Sequence, residues 1–377
     1  MSQINIKNLS NENEDGAPDI VGISTFSATS YFVPPVGTTG QRPQNPQEGD
    51  LRFNTDTASL EYFRGDGIGW EQIEMTSPDL NGGARAVVAI GQANSPVGYN
   101  NILEYFTIPT LGNTTDFGDA TVTRDKLGAG ASRTRGIFVG GEGGGNVIEY
   151  VTISSTGNAQ DFGDIDQAAE HRFIAAASDS TRTFFGGGYT GGSAHDTIEY
   201  ITTASTGNGV DFGNLLAATN GPSACASSTR GIFAGGDSAA GWGSPINTIQ
   251  YITIQTTGNS VDFGDLSVPR GRLGATSNST RGLMMGGDNS GDKDEIDYIT
   301  IARLGNAIDF GNLLAVNERI ACTASTTRAI GIGGLGPAQY NTIQYVEILT
   351  TGDATDFGDM TYQASGGAAC SNAHGGL

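Results

Sequence analysis

Hydrophobic positions fall into short runs along the chain, and the runs recur. The phrase "NTIQYITIQTTGNSVDFGDL" at 247–266 is nearly rewritten as "NVIEYVTISSTGNAQDFGDI" at 146–165 and "NTIQYVEILTTGDATDFGDM" at 341–360. In the first of these, Ile249 and Tyr251 fall on one face of an extended segment and Ile252 and Ile254 on the other, because strand side chains alternate. Apolar groups on both faces suit a sheet sandwiched between two neighbours. The β-branched and aromatic content favours strand over helix. "TTGN" then supplies turn chemistry, since Gly and Asn tolerate positive φ.

Three anchors fix the register. An arginine opens "TRG"-like turns at Arg135, Arg182, Arg230, Arg281 and Arg328, with Arg85 a looser copy. A tyrosine recurs in "IEY"-like strands at Tyr105, Tyr150, Tyr200, Tyr251, Tyr298 and Tyr345. An aspartate opens "DFG" at Asp116, Asp161, Asp211, Asp262, Asp309 and Asp356, always eleven residues after the tyrosine. The period of 45 to 51 residues, built from short strands, is that of propeller blades. Each copy predicts four strands; in the fourth copy these are "GPSACASS" innermost, then "GIFAGG", "NTIQYITI" and "SVDFGD". Gly-Gly pairs closing the second strand predict close backbone approach.

The ends predict closure. "ASGGAACSNAHGGL" after the sixth copy resembles the inner strand of the fifth, with His374 where the arginine would stand. The C-terminal segment is therefore expected to supply the inner strand of the first copy and leave no open edge. The predicted fold is all-β: a six-bladed, four-stranded β-propeller over residues 81–377, closed by the C-terminal strand. An extended N-terminal anchoring arm or linker (1–49) and a small β-hairpin or meander (50–80), with a turn at Asp66-Gly67, precede it.

Composition narrows the function classes. Net charge is −21, and the lysines are Lys7, Lys126 and Lys293. Such a chain is repelled by phosphate backbones and anionic lipid, so neither nucleic acid nor membrane is an expected partner. No window offers the ~18 apolar residues of a membrane span. The N-terminus lacks the basic and apolar regions of a secretory signal. Cys225, Cys322 and Cys370 are odd in number and far apart, which argues against a disulfide framework or zinc knuckle; all fall on predicted inner strands as small filler.

Two segments carry a resemblance. "GDLRFNTDTASLEYFRGDGIGWEQI" looks like the hairpin modules near the N-termini of phage tail-fibre and appendage proteins. "RTRGIFVGGEGGGNVIEYVTISSTGNAQDFGDI" is similar to repeats in virion structural proteins of marine tailed phages, notably cyanophages. Its paired glycines resemble those of kelch propellers, but the regular kelch tryptophan is missing, so kelch functions do not carry over. The resemblance implies an extracellular particle appendage or decoration protein. It would be anchored to other virion proteins through the N-terminal arm and be homo-oligomeric, with a trimer favoured. Its propeller would contact a host surface. No catalytic residue and no cofactor is implied.

"DFG" in six all-β copies is not kinase machinery, and "GIGGLG" at 331–336 opens no helix, so it is not a dinucleotide site. The Asp-Phe-Gly-Asp box could offer calcium ligands through Asp161 and Asp164 or Asp262 and Asp265. Asn214 and Asn312 replace the second aspartate in two copies, which favours a structural turn accepting backbone N–H groups or facing a repeat arginine. The repeat arginines are expected to be frame contacts rather than an anion ring. His171, His195 and His374 have no second ligand nearby in sequence, so no metal is assigned. The parts that break the symmetry are the loops between the second and third strands, and variable loops on a rigid frame are where binding concentrates. Their aromatics, Tyr99, Tyr189, Trp242 and Tyr340, are the candidate ligand contacts, with a glycan the favoured target. The rival expectation is a purely structural protein docking on tail, baseplate or capsid neighbours.

Overall fold

In a computed structural model, the described residues are 34–56, 59–65, 67, 69–72, 84–95, 97–166, 171–238 and 243–377. The protein is all-β, with multiple antiparallel sheets, one of them nearly closed and barrel-like. The chain divides at Ser77/Pro78 into two units.

In the first unit, Leu51–Asn54, Ser59–Phe63 and Trp70–Gln72 form an antiparallel meander. Val36–Gly37 adds a fourth strand, parallel to Leu51–Asn54. Residues 36–37 were expected in the extended arm; backbone pairing and the buried Arg52 draw them into the sheet instead. Arg52 donates to the Thr38 carbonyl at 3.0 Å and to Glu61 at 3.2 Å, and Arg42 also pairs with Glu61, at 2.6 Å. Glu61 is fully buried, and the hydrogen bond from Arg42 holds its carboxyl below the usual range against the cost of burial. Residues 1–33 of the expected arm, and Asp66 of the expected turn, lie outside the described residues.

In the second unit, the fourth copy shows the pattern. Ser223–Ala226, Arg230–Ala234, Thr248–Thr253 and Val261–Asp265 pair antiparallel in that order. The second copy (Gly128–Ala131, Arg135–Val139, Val147–Thr152, Gln160–Asp164) and the fifth (Gly274–Ser277, Arg281–Met285, Glu295–Thr300, Ile308–Asn312) are built alike. In the third and sixth copies the inner strands are Ala175–Ser178 and Ala321–Ala324. The first copy takes its inner strand from the end of the chain: Ala368–Ser371 pairs with Arg85–Ala89, bringing Cys370 opposite Val87. Each inner strand lies beside the next, and Ala368–Ser371 lies beside both Ala321–Ala324 and Gly128–Ala131, so the six inner strands are neighbours in a closed cycle.

The apolar core follows from two-faced strands. It divides into six clusters, each shared by two consecutive copies. Phe138 packs with Val87 and Leu103 of the first copy, and Phe184 with Phe233 of the fourth. The cluster of Ile90, Phe106, Ile330 and Phe357 joins the sixth copy to the first. No copy has a core of its own, which is why the phrase must recur for the chain to fold.

Candidate functional site

The repeated polar residues build the frame. Each anchor arginine lies over the tyrosine of its own copy, with the guanidinium carbon 4.5–4.7 Å from the ring centroid. Each also donates from Nη1 to a carbonyl of the next copy at 2.8–3.2 Å: Arg85 to Ile153, Arg135 to Thr203, Arg182 to Ile254, Arg230 to Ile301, Arg281 to Ile348, and Arg328 back to Ile108. The first aspartates of the boxes, Asp116, Asp161, Asp211, Asp262, Asp309 and Asp356, are exposed. The arginines are thus held by tyrosine and carbonyl rather than by these aspartates.

The rest of the box explains its recurrence. Its phenylalanine is buried and meets the tyrosine ring edge-on, at 5.9 Å for Tyr105 and Phe117. Its glycine has φ between +144° and +151°, a region that disfavours a side chain. A Cβ on Gly118 would also stand 2.6 Å from the Gly157 carbonyl of the next copy. The following backbone N–H donates to the Asn or Asp side chain of the next copy's turn at 2.9–3.2 Å: Asp119 to Asn158, Asp164 to Asn208, Asn214 to Asn259, Asp265 to Asn306, Asn312 to Asp353, and Asp359 to Asn113. Because the second aspartate acts through its backbone, Asn serves equally there.

A fourth repeated position was missed by the sequence reading. The residue before each anchor tyrosine, Glu104, Glu149, Glu199, Gln250, Asp297 or Gln344, is buried. It accepts a backbone N–H from the preceding copy at 2.7–3.3 Å, from Thr361, Thr121, Asp166, Leu216, Ser267 and Leu314 respectively. The signal was present in "IEY", "IQY" and "IDY": an oxygen acceptor always interrupts the apolar run.

Where each inner strand begins, the symmetry changes character. Lys126, Phe173, Gly221, Arg272, Arg319 and Gly366 occupy equivalent positions, and all six have φ between +52° and +66°. They form a collar. The Phe173 N–H donates to the Lys126 carbonyl at 2.7 Å, and Arg319 to Arg272 at 2.9 Å. Gly366 donates to Arg319 at 3.1 Å, Lys126 to Gly366 at 2.6 Å, and Arg272 to Gly221 at 3.4 Å. Inside it opens a cavity of about 120 Å³ with a floor of Gly and Ala from the inner strands. Lys126 and Arg319 lie 5.2 Å and 5.8 Å from the centroid of Phe173.

The variable loops fold onto this same rim. The residue before each collar position pairs with a loop residue: Asp125 with Glu142, Arg172 with Tyr189, Asn220 with Asp237, Gly271 with Asp288, Glu318 with Leu335, and Ser365 with Gln92. Of the candidate aromatics, Tyr99 is exposed and lies 6.0 Å from Lys126. Tyr189 is half-buried, with Arg172 stacked at 4.7 Å. Tyr340 is half-buried and its hydroxyl packs against Gly336 of its own loop. Trp242 lies outside the described residues.

Charges alternate around the rim. Lys126 pairs with Glu142, Arg172 with Glu142 at 2.8 Å, and Arg272 with Asp288 at 2.5 Å and Glu318 at 2.6 Å. Burial opposes ionisation of Glu142, but Lys126 and Arg172 prevail and hold its pKa down. Burial pushes Asp125 up to about 6, and raises Asp292 and Glu318. Asp288, Asp292 and Glu318 bring ligand atoms within 4.8 Å of one another, but Arg272 already supplies their positive charge. They come from two copies, so sequence spacing could not reveal them. His171 and His195, far apart in sequence, lie with ring centroids 5.0 Å apart.

At the other end of the inner strands, His374 is half-buried and bonded to backbone rather than stacked on a tyrosine. Its Nε2 lies 2.8 Å from the Ala131 carbonyl, and its Nδ1 accepts the Gly376 N–H at 3.1 Å. Burial lowers its pKa. The three cysteines sit on inner strands; burial pushes Cys225 and Cys370 up to about 12 and also raises Cys322. Cys370 Sγ fills the space beside Gly136, where a Cβ would stand 2.8 Å away.

Comparison with known proteins returns no matching family model and no matching curated relative.

Proposed function

We propose that residues 81–377 are a six-bladed, four-stranded β-propeller, and that the protein is a non-enzymatic virion appendage or decoration protein displaying it for host-surface attachment. A surface glycan is the proposed target. The supporting observation is a division of labour. The recurring arginines and the buried acceptor before each anchor tyrosine are engaged in bonds between copies, whereas the loops that differ gather with the collar on one rim. A frame closed by such contacts holds its loops rigidly, which lowers the ordering cost of binding. In this reading the N-terminal segment anchors the protein to other virion proteins, as a homo-oligomer with a trimer favoured, and the rim faces outward from the particle. Tyr99 and Tyr189 are the aromatics best placed for a sugar ring.

A second observation favours the structural alternative. The outer-strand position before the box aspartate is apolar and exposed in the third, fourth and fifth copies (Val210, Val261, Ile308), but is Thr115, Gln160 or Thr355 in the others. Such an arc suits packing on a neighbouring virion protein.

The deciding experiment is binding of the labelled full chain to host cells and isolated envelope polysaccharide, with Tyr99→Ala/Tyr189→Ala and Val210→Thr/Val261→Thr/Ile308→Thr as paired variants. Loss of cell binding in the tyrosine variant alone supports attachment. Absence of cell binding by the wild type, with particle incorporation lost in the outer-strand variant, would replace attachment with the structural reading.

A further inference from the structure

The collar is where the molecule departs from its own economy. Six equivalent positions share a left-handed backbone conformation, and glycine fills two of them, Gly221 and Gly366. Glycine takes this conformation at no steric cost, whereas other residues are disfavoured by about 1–2 kcal/mol. The frame therefore accepts glycine at this position, yet the chain keeps Lys126, Phe173, Arg272 and Arg319 there. Backbone strain of this kind gathers at functional sites. The four side chains surround one cavity, and three of them are cations in a protein of net charge −21.

We infer that the collar binds the carboxylate end of a hexuronic acid residue, free or at the end of a host-surface polysaccharide. This rests on the attachment reading for its biological source, but not for its chemistry. Glu142 and Asp125 are the carboxylates beside the Lys126 ammonium, which has three N–H donors and can still turn one to a ligand. Arg319, paired with Glu318 at 3.4 Å, lies 5.8 Å from the centroid of the Phe173 ring that Lys126 also approaches, so both cations line the cavity. A carboxylate placed between them gains charge-assisted hydrogen bonds. The alanine floor, with the exposed edge of the largely buried Phe173, offers apolar surface to the C–H face of a pyranose. The rim carboxylates Glu142, Asp288 and Glu318, each fixed by a lysine or arginine, alternate with the cations and can accept from sugar hydroxyls. A ligand with one carboxylate and several hydroxyls matches that alternation; a neutral sugar or a bare anion matches half of it. The cavity of about 120 Å³ is near the ~150 Å³ of a site that holds one benzene ring, which seats one end of a sugar rather than a chain.

The test is calorimetric titration of the full chain, at low salt, with galacturonate and glucuronate. Galactose, glucose and acetate are the controls. The inference predicts that one uronate binds at least ~10-fold more tightly than its neutral sugar and than acetate, equivalent to about 1.4 kcal/mol. Lys126→Gln/Arg319→Gln should abolish that preference. Equal binding of acetate, or no uronate preference, overturns it. If the double variant fails to fold, hydrogen exchange on the wild type decides. Protection by uronate at 124–128 and 317–321 supports the site, and protection elsewhere overturns it. Uronate binding at the collar without cell binding leaves the inference standing and removes the attachment reading. Cell binding undiminished in the folded double variant, with no uronate preference in the wild type, leaves the attachment reading standing and removes the inference.

Discussion

The outer frame and the collar are both sixfold, yet they use repetition in opposite ways. In the frame every copy writes the same residues: Arg over Tyr, Phe under Tyr, Gly against the next turn. In the collar every copy keeps the same backbone while the residue varies, as Lys126, Phe173, two glycines and two arginines. A contact required at each junction tolerates little variation, because a weak junction weakens the whole cycle. A position held to its neighbour by backbone hydrogen bonds can change its side chain without losing the junction. Uniform residues thus mark the frame, and uniform backbone with varied residues marks the face.

That contrast can be broken at several depths. Removing residues 368–377 takes away the inner strand beside Arg85–Ala89 and part of two core clusters. We expect loss of the cooperative melt altogether; a truncated chain that melts like the full one would mean the cycle does not depend on its closing strand. Phe263→Ala should cost about 3–5 kcal/mol by chemical denaturation, as for other buried phenylalanines.

Asp125 tests the rim electrostatically. Its folded pKa of about 6 lies above the unfolded value of about 3.9. The stability it allows is therefore full below pH ~4 and is lost as pH rises through ~6. Asp125→Asn should remove that loss and gain up to about 3 kcal/mol at pH 7. Parallel denaturation at pH 4 and pH 7 checks this, and a variant whose pH dependence matches the wild type would refute it.

Arg230→Ala deletes the stack on Tyr251 and the bond to Ile301 and should cost about 1–2 kcal/mol, with Arg230→Lys recovering only part because an ammonium lacks the planar face. Arg319→Gly, in the collar, should change stability by less than ~1 kcal/mol, because the relief of a left-handed side chain offsets the lost contacts.

How much of this was legible in sequence depends on the range of each interaction. The period, the four strands per copy and the C-terminal inner strand were readable because they depend on local alternation and on copies lining up with one another. The buried Glu149 or Gln250 was visible as a letter but not as a bond, since its partners, Thr121 and Leu216, belong to the preceding copy. The collar was not legible at all. Lys126, Phe173, Gly221 and Arg272 differ in residue type, and what unites the six positions is a φ angle that only the folded backbone displays. The pairing of Val36–Gly37 with Leu51–Asn54 was missed for a related reason: a two-residue strand in a Pro-rich segment carries no alternation to read.

The measurement that tests the frame-and-face account most directly is one titration of hexuronate into Arg230→Ala and Arg319→Gly side by side, with a melt of each. The account predicts that Arg230→Ala is the less stable protein and binds as the wild type does, whereas Arg319→Gly melts with the wild type and loses binding. If Arg319→Gly is the destabilised variant and binding follows Arg230 instead, frame and face have been assigned the wrong way round.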